Sequence, residues 1–463
     1  MTPISNLHAN NESKAIRGHT QQNQLTINSL PPEVLCDIFL PVAGFYLGHY
    51  TRLLPLRVVC KYWKEVIDST PGLWMAIKLE LHPELQAMIL RNSRNHPLNV
   101  LWDETTWNND PAKKAKIAAF STLMEPSASR WQSLNYRRGL TSESDIWILA
   151  LPLHNVQVIE IDAPSWSYRC HTLDAPKLSY VNVTRFYLNW RSLSGLQVLI
   201  LNLTNPTLNE LMAMLQASPE LNHLSLENTW LQVESEDQAP TPSKVFLPHL
   251  TCLRISRAST QSICLLLDSM ETSNLQGFAV AVQYHVEPED CTPLCKSAAR
   301  YIGAFPLPQD NEQALVLIRV WRREIEFGLR RRRIAIRNDT WDHGNGPQDR
   351  LAYLASVTNY MDSRACREVK ILDLSCREHE EIGGYLRTIH SRFPQINQIL
   401  LKEKQNDIAV AFQHLSSPLQ LELAEEWLLP KLTKLELDLG SSTDARLIDI
   451  VAQLVMKRKA ADG

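Results

Sequence analysis

One six-position pattern, apolar-x-x-apolar-x-apolar, recurs eleven times and restricts the fold of this chain more than any other feature. It fits Trp131/Leu134/Tyr136, Val156/Ile159/Ile161, Leu178/Val181/Val183, Leu196/Leu199/Leu201, Leu221/Leu224/Leu226, Leu250/Leu253/Ile255 and Leu275/Phe278/Val280. It fits again at Leu315/Ile318/Val320, Val369/Leu372/Leu374, Ile396/Ile399/Leu401 and Leu432/Leu435/Leu437. Its last positions alternate, as a strand with one buried face must. The first seven copies begin 25, 22, 18, 25, 29 and 25 residues apart, and the later steps are 40, 54, 27 and 36.

Helical stripes lie between the copies. Leu208, Leu211, Met212 and Leu215 share one face, as do Ile263, Leu266, Leu267 and Met270. So do Ile382, Leu386, Ile389 and Phe393, and then Leu447, Ile448, Val451, Leu454 and Val455. Strand and helix alternating at this step imply an α/β array with a parallel sheet, each unit burying its apolar side against its neighbours. Residues 281–368 carry one weak copy and a charged stretch from Arg319 to Arg337, which reads as an insertion or as longer strands. Within it Arg330–Arg333 separates Ile325/Phe327/Leu329 from Ile334/Ile336. The alternation changes phase there, as in a hairpin with a charged tip. Those arginines fit an edge-strand guard better than a nucleic-acid site.

Composition excludes several classes. The 463 residues carry 47 Lys+Arg against 50 Asp+Glu, a net charge of −3, which suits neither a polyanion coat nor a fully disordered chain. Only 15 glycines are present, few for an enzyme built on phosphate-cradling loops. No nucleophile elbow, P-loop, His-Glu-x-x-His or dinucleotide turn occurs, so no enzyme activity and no cofactor are expected. Nine cysteines show no pairing rhythm, and Cys291 and Cys295, with His285 upstream, lack the second pair of a zinc site. No apolar run reaches the roughly 18 residues a membrane span needs, and the polar first residues lack a secretory apolar region. An intracellular protein, in cytoplasm or nucleus, is the expectation.

A second pattern begins at Leu30. Leu30-Pro31-Pro32-Glu33 opens a helix in which Val34/Ile38 and Leu35/Phe39 recur four apart. A second helix is predicted from about Leu53 to Asp68, with Leu56, Val59, Cys60, Trp63, Val66 and Ile67 on one stripe. Ser69-Thr70-Pro71-Gly72 stops it, and Leu73-Trp74 follows. So small a module cannot turn all these side chains inward, so either the rest of the chain or a partner must cover them. The expected organisation is a tail over 1–24, the helical module over 25–75 and a helical connection over 76–97. The array follows over 98–456, irregular around 281–368, with a tail over 457–463.

The module resembles an F-box. The likeness rests on Leu30-Pro31-Pro32-Glu33-Val34-Leu35, Ile38-Phe39, Leu56-Arg57-Val58-Val59-Cys60-Lys61-Tyr62-Trp63 and Leu73-Trp74, in the family's order. It departs over Leu40–Arg52, a connection about six residues longer than the usual pattern. The remainder resembles a degenerate leucine-rich-repeat solenoid, whose repeats run roughly 20–29 residues, of the kind found behind fungal F-boxes. That repeat's usual Asn or Cys a few positions after the last strand leucine is not consistently present, so the turns must differ in shape.

The resemblance implies a substrate receptor of an SCF-type cullin–RING ubiquitin ligase. The F-box would dock a Skp-type adaptor and the array would hold a protein substrate. Carried over residue by residue, adaptor contact falls to Leu30, Pro31, Val34, Leu35, Ile38, Phe39, Val59, Cys60 and Trp63. Substrate contact falls to outward strand positions: Glu160, Asp162, Asn182, Asn202, Glu227, Arg254, Arg319, Trp321, Asp373, Lys402, Glu436 and Asp438. The alternative is a leucine-rich-repeat scaffold that binds a protein without a ligase attached.

Overall fold

The computed structural model describes residues 27–43, 50–104, 111–137, 147–163, 170–229, 231 and 244–282. It then describes the segments 293–294, 296–297, 301, 316–321, 324–329, 332–337, 371–374, 382–393, 395–396, 398–402, 418–421, 424–427, 434–438 and 456. The expected tails, the stripe over Leu447–Val455, and Cys291, Cys295 and Arg330–Arg331 lie outside these described residues. The chain divides into two compact units, 1–77 with 84–96, and 78–83 with 97–463.

The first unit is helical. It contains α1 (Pro32–Ala43), α2 (Tyr50–Arg57) and α3 (Lys61–Ser69), a 3-10 turn over Pro71–Trp74, and most of α4 (Pro83–Ser93). A short strand, β1 (Ala76–Lys78), ends the first stretch. Pro32 opens α1 where the first N–H groups have no intrahelical partner anyway, and Glu33 sits in that positive first turn.

The single helix expected over Leu53–Asp68 is two helices. The stripe Leu56, Val59, Cys60, Trp63 keeps helical spacing, yet the backbone leaves the helix between Arg57 and Lys61. Val58 and Val59 donate to the carbonyls of Pro55 and Leu56, three residues back, which closes α2. Cys60 is extended, with φ −157° and ψ 167°, and its Sγ accepts from the Trp63 N–H at 3.4 Å, capping α3. Two adjacent β-branched residues favour that break.

The second unit carries a mostly parallel sheet with helices. Its strands are β2 (Leu98–Asp103), β3 (Trp131–Arg137), β4 (Val158–Asp162), β5 (Tyr180–Thr184), β6 (Val198–Asn202), β7 (His223–Glu227), β8 (Val245–Leu247), β9 (Cys252–Ala258), β10 (Met270–Thr272) and β11 (Gly277–Val282). The order β2-β3-β4-β5-β6-β7-β9-β11 is parallel throughout, while β8 pairs with β10 as a separate ribbon. The periodic pattern anticipated every one of these main strands except β2, whose Leu98, Val100 and Trp102 alternate inward.

Register follows the pattern. Leu134, Ile159, Val181, Leu199, Leu224, Leu253 and Phe278 are successive partners across the sheet. So are Tyr136, Ile161, Val183, Leu201, Leu226, Ile255 and Val280, and both rows are buried. Over them lie α5 (Pro111–Met124), α6 (Leu208–Gln216) and α7 (Thr260–Ser269), which bury Phe120, Leu211, Leu215, Leu266 and Leu267. α6 starts with a capping box, Thr207 Oγ1 accepting from Glu210 N and the Glu210 carboxylate from Thr207 N.

Backbone hydrogen bonds repeat with the strands. Before β5, Ser179 and Tyr180 both donate to Gln157 O. The same convergence recurs for Gln197/Val198 on Ser179 O, Asn222/His223 on Gln197 O, Thr251/Cys252 on Asn222 O and Gln276/Gly277 on Thr251 O. At the exits, Ala163, Arg185, Leu203 and Asn228 donate to Thr184 O, Asn202 O, Glu227 O and Ser256 O, each on the next strand. Arg185, Leu203 and Asn228 do so in the left-handed region, with φ of +54°, +50° and +52°. That conformation costs a non-glycine residue roughly 1–2 kcal/mol, offset by a backbone bond that a side-chain Asn or Cys need not supply.

A second sheet runs β14-β13-β12-β15-β16-β19, with β12 (Val316–Trp321), β13 (Glu324–Leu329), β14 (Arg332–Arg337), β15 (Ile371–Leu374), β16 (Gln398–Lys402) and β19 (Lys434–Asp438). The hairpin expected at the arginine run is present. β13 and β14 pair antiparallel from Glu324↔Arg337 to Leu329↔Arg332. β15, β16 and β19 pair parallel, with Leu372, Ile399 and Leu435 in one row and Leu374, Leu401 and Leu437 in the next. A further hairpin joins β17 (Pro418–Leu421) to β18 (Ala424–Trp427), and α8 spans Ile382–Arg392.

Candidate functional site

The helical module divides its apolar residues sharply. Leu35, Phe39, Leu53, Trp63, Val66, Ile67, Leu73 and Trp74 form its interior. Phe39 and Trp63 meet with ring centroids 5.0 Å apart, and Tyr50 stacks on Trp74 at 5.8 Å. Trp74 Nε1 donates to Ile67 O at 2.8 Å, and the buried Tyr50 hydroxyl donates to Ala76 O. Burial pushes the Tyr50 pKa well above that of an ordinary tyrosine. This core fixes α1, α2 and α3 with respect to one another.

Other large aliphatic residues of the module point to solvent. Val34 is 41% exposed, Ile38 42%, Val58 80%, Val59 57% and Ile27 48%. Among the described residues only Phe246 and Met456 join them as exposed large hydrophobics. Five of seven thus fall within 33 consecutive residues. Pro31, Val34, Ile38 and Pro41, at helical spacing, form one exposed stripe along α1. Glu33 and Asp37 are also exposed on that helix.

The nine expected adaptor residues therefore separate. Val34, Ile38 and Val59 are exposed apolar side chains, Pro31 is exposed, and Leu30 and Cys60 are half-buried. Leu35, Phe39 and Trp63 lie inside the module and hold its shape. A short helix must bury one face to exist at all, and these three occupy that face. Trp63 Nε1 is buried without a hydrogen-bond partner among the described residues. The sequence reading missed Ile27 and Val58. Val58 escaped because an unbroken helix would have turned it away from the stripe.

Polar contacts tie the exposed segments to α3. Arg57 Nε and Nη2 donate to the two carboxylate oxygens of Asp68 at 2.6 and 2.9 Å. That bond raises the Arg57 pKa above its ordinary value, against the opposing effect of burial. Tyr62 donates its hydroxyl to Leu30 O at 2.8 Å. Cys36 Sγ lies 3.0 Å from Thr70 Oγ1, whose proton goes to Val66 O at 2.7 Å. Lys61–Glu65, 3.7 Å apart and largely exposed to water, contributes little.

In the second unit the outward strand positions form rows opposite the buried leucines. One row runs Asn135, Glu160, Asn182, Ile200, Ser225, Arg254, and the next Arg137, Asp162, Thr184, Asn202, Glu227, Ser256. The structure thus brings Glu160, Asp162, Asn182, Asn202, Glu227 and Arg254 onto one face. Much of that face is paired internally. Asn135 donates to Glu160, Arg254 reaches Glu227 at 3.4 Å, Arg137 sits 3.7 Å from Asp103, and Asn228 donates to Asn202 at 3.1 Å. Beside them burial, then the Glu160 charge, raises the Tyr180 pKa, and burial, then Arg254, lowers that of His223. Arg319 and Asp373 are register partners between β12 and β15, and Lys402 and Asp438 between β16 and β19. Trp321 pairs with Glu324, and Glu436 with Leu400.

Among the described residues no group of three or more His, Cys, Asp or Glu could hold a metal ion, and no helix is long and apolar enough to cross a membrane. No curated protein matches the chain. A family model described as F-box-like matches residues 27–80, the stretch that holds all five exposed aliphatic side chains of the helical module.

Proposed function

We propose that this chain is a substrate-recognition subunit of an SCF-type cullin–RING ubiquitin ligase. The helical module docks a Skp-type adaptor, and the parallel array, a degenerate leucine-rich-repeat solenoid, binds the protein to be ubiquitylated. One observation carries the reading. A helical module with its own packed core still displays Val34, Ile38, Val58 and Val59 to water, inside the segment that matches the F-box-like model. Exposed aliphatic groups gathered on a small unit with its own packed core mark a docking surface. The array reading draws support from the repeated register and the repeated turn hydrogen bonds. Neither unit needs a catalytic group for this role, since a receptor contributes binding and positioning.

A pull-down of the full chain with a purified Skp-type adaptor tests the proposal. Val34→Glu/Ile38→Glu places two charges on the α1 stripe without touching the core, and should abolish retention. Retention equal to wild type refutes the docking surface. Leu35→Ala and Phe39→Ala are poor tests, because they would also unfold the module.

A further inference from the structure

We infer that Arg57, Asp68 and Tyr62 are positioning residues of the docking surface, acting through geometry without meeting the partner themselves; this inference rests on the adaptor-docking reading. The most exposed aliphatic side chains among the described residues of the helical module, Val58 and Val59, sit on a three-residue break between α2 and α3. The helical ladder is interrupted across such a break. Its hydrogen bonds include two i→i−3 contacts, a long thiol cap at 3.4 Å, and the Lys64 N–H on Cys60 O at 3.1 Å, where α3 begins.

The Arg57–Asp68 fork spans the break from the last residue of α2 to the last turn of α3. Both oxygens and two guanidinium nitrogens are engaged, which fixes orientation as well as distance. The side chains are about one-quarter exposed, 23% and 27%, so water screens the pair only in part. Tyr62, in the first turn of α3, performs the matching task for the other flank. Its hydroxyl holds Leu30 O, one residue before the α1 stripe begins. One helix thereby sets the spacing of two apolar segments far apart in sequence. Held in advance, the segments lose less conformational freedom on docking.

The test uses the full chain and a purified Skp-type adaptor, with dissociation rate and Kd read by biolayer interferometry and folding by thermal melt. Asp68→Asn, which keeps shape but loses charge, and Tyr62→Phe, which loses only the hydroxyl, should each weaken binding about tenfold, mainly through faster dissociation. The charge-exchanged pair Arg57→Asp/Asp68→Arg should recover a substantial part of the loss seen with Arg57→Asp alone. A purely structural role would lower the melt and leave the affinity of the folded fraction unchanged, and that result overturns the inference. So does wild-type binding by Asp68→Asn and Tyr62→Phe while Val34→Glu/Ile38→Glu fails to bind. If wild type itself does not bind, the adaptor-docking reading falls instead. Should Asp68→Asn not fold, Tyr62→Phe decides alone.

Discussion

Removing the Leu199 side chain tests the packing that makes the array. Leu199 is fully buried in β6, in register with Val181 on one side and Leu224 on the other, both equally buried. Leu199→Ala removes that packing and leaves a void its stiff neighbours cannot close. The expected destabilisation is about 2–5 kcal/mol. Thr184→Ala is the control, a half-exposed position on the opposite face of β5. Its cost should stay near 0.5 kcal/mol, roughly that of a surface change. Urea unfolding of the full chain, followed by far-UV circular dichroism, compares the two midpoints. Because each unit rests on its neighbours, the Leu199→Ala loss should appear as a lowered midpoint for the array. Equal midpoints for the two variants would refute the assignment of Leu199 and its row to the core.

Two further outcomes are expected. Full burial of an aliphatic side chain contributes about 1.5–3 kcal/mol, so for Val58→Ser/Val59→Ser, at 80% and 57% exposure, the ceiling on lost adaptor affinity is about 2–4 kcal/mol. Isothermal titration should show a rise in Kd of up to about 30-fold at the lower ceiling, with an unchanged melt, and a change under threefold would contradict it. Burial, then the Asp268 charge, pushes the Cys264 thiol from 9.0 to about 11. A raised thiol pKa contributes stability that is full below the unfolded value and lost as pH rises through the folded one. Melting temperature should therefore fall between pH 9 and 11, and Cys264→Val should flatten that fall; an unchanged slope would place the cause elsewhere.

Much of this architecture was legible in residue spacing, for a definite reason. A strand with one buried face must alternate, and a stack must repeat, so Leu199, Leu224 and Leu253 announced both strand and register. β2 escaped because Leu98, Val100 and Trp102 alternate without the template's leading apolar residue. The turns were illegible because Arg185, Leu203 and Asn228 have no shared side-chain chemistry; what repeats is a backbone conformation. The site was half legible. Helical spacing identified Val34 and Ile38 but could not separate them from Leu35 and Phe39, which share the apolar character and lie on the adjoining arc. The break at Val58–Cys60 was hidden because Cys60, read as part of one stripe, is the N-cap that opens α3.

Hydroxyl-radical footprinting of the full chain, with and without a Skp-type adaptor, addresses the central claim side chain by side chain. Oxidation of Val34, Ile38, Val58 and Val59 should fall on complex formation, while Phe246, exposed on β8, keeps its free-state rate. Unchanged oxidation at those four positions under saturating adaptor, or protection of Phe246 in their place, would contradict it.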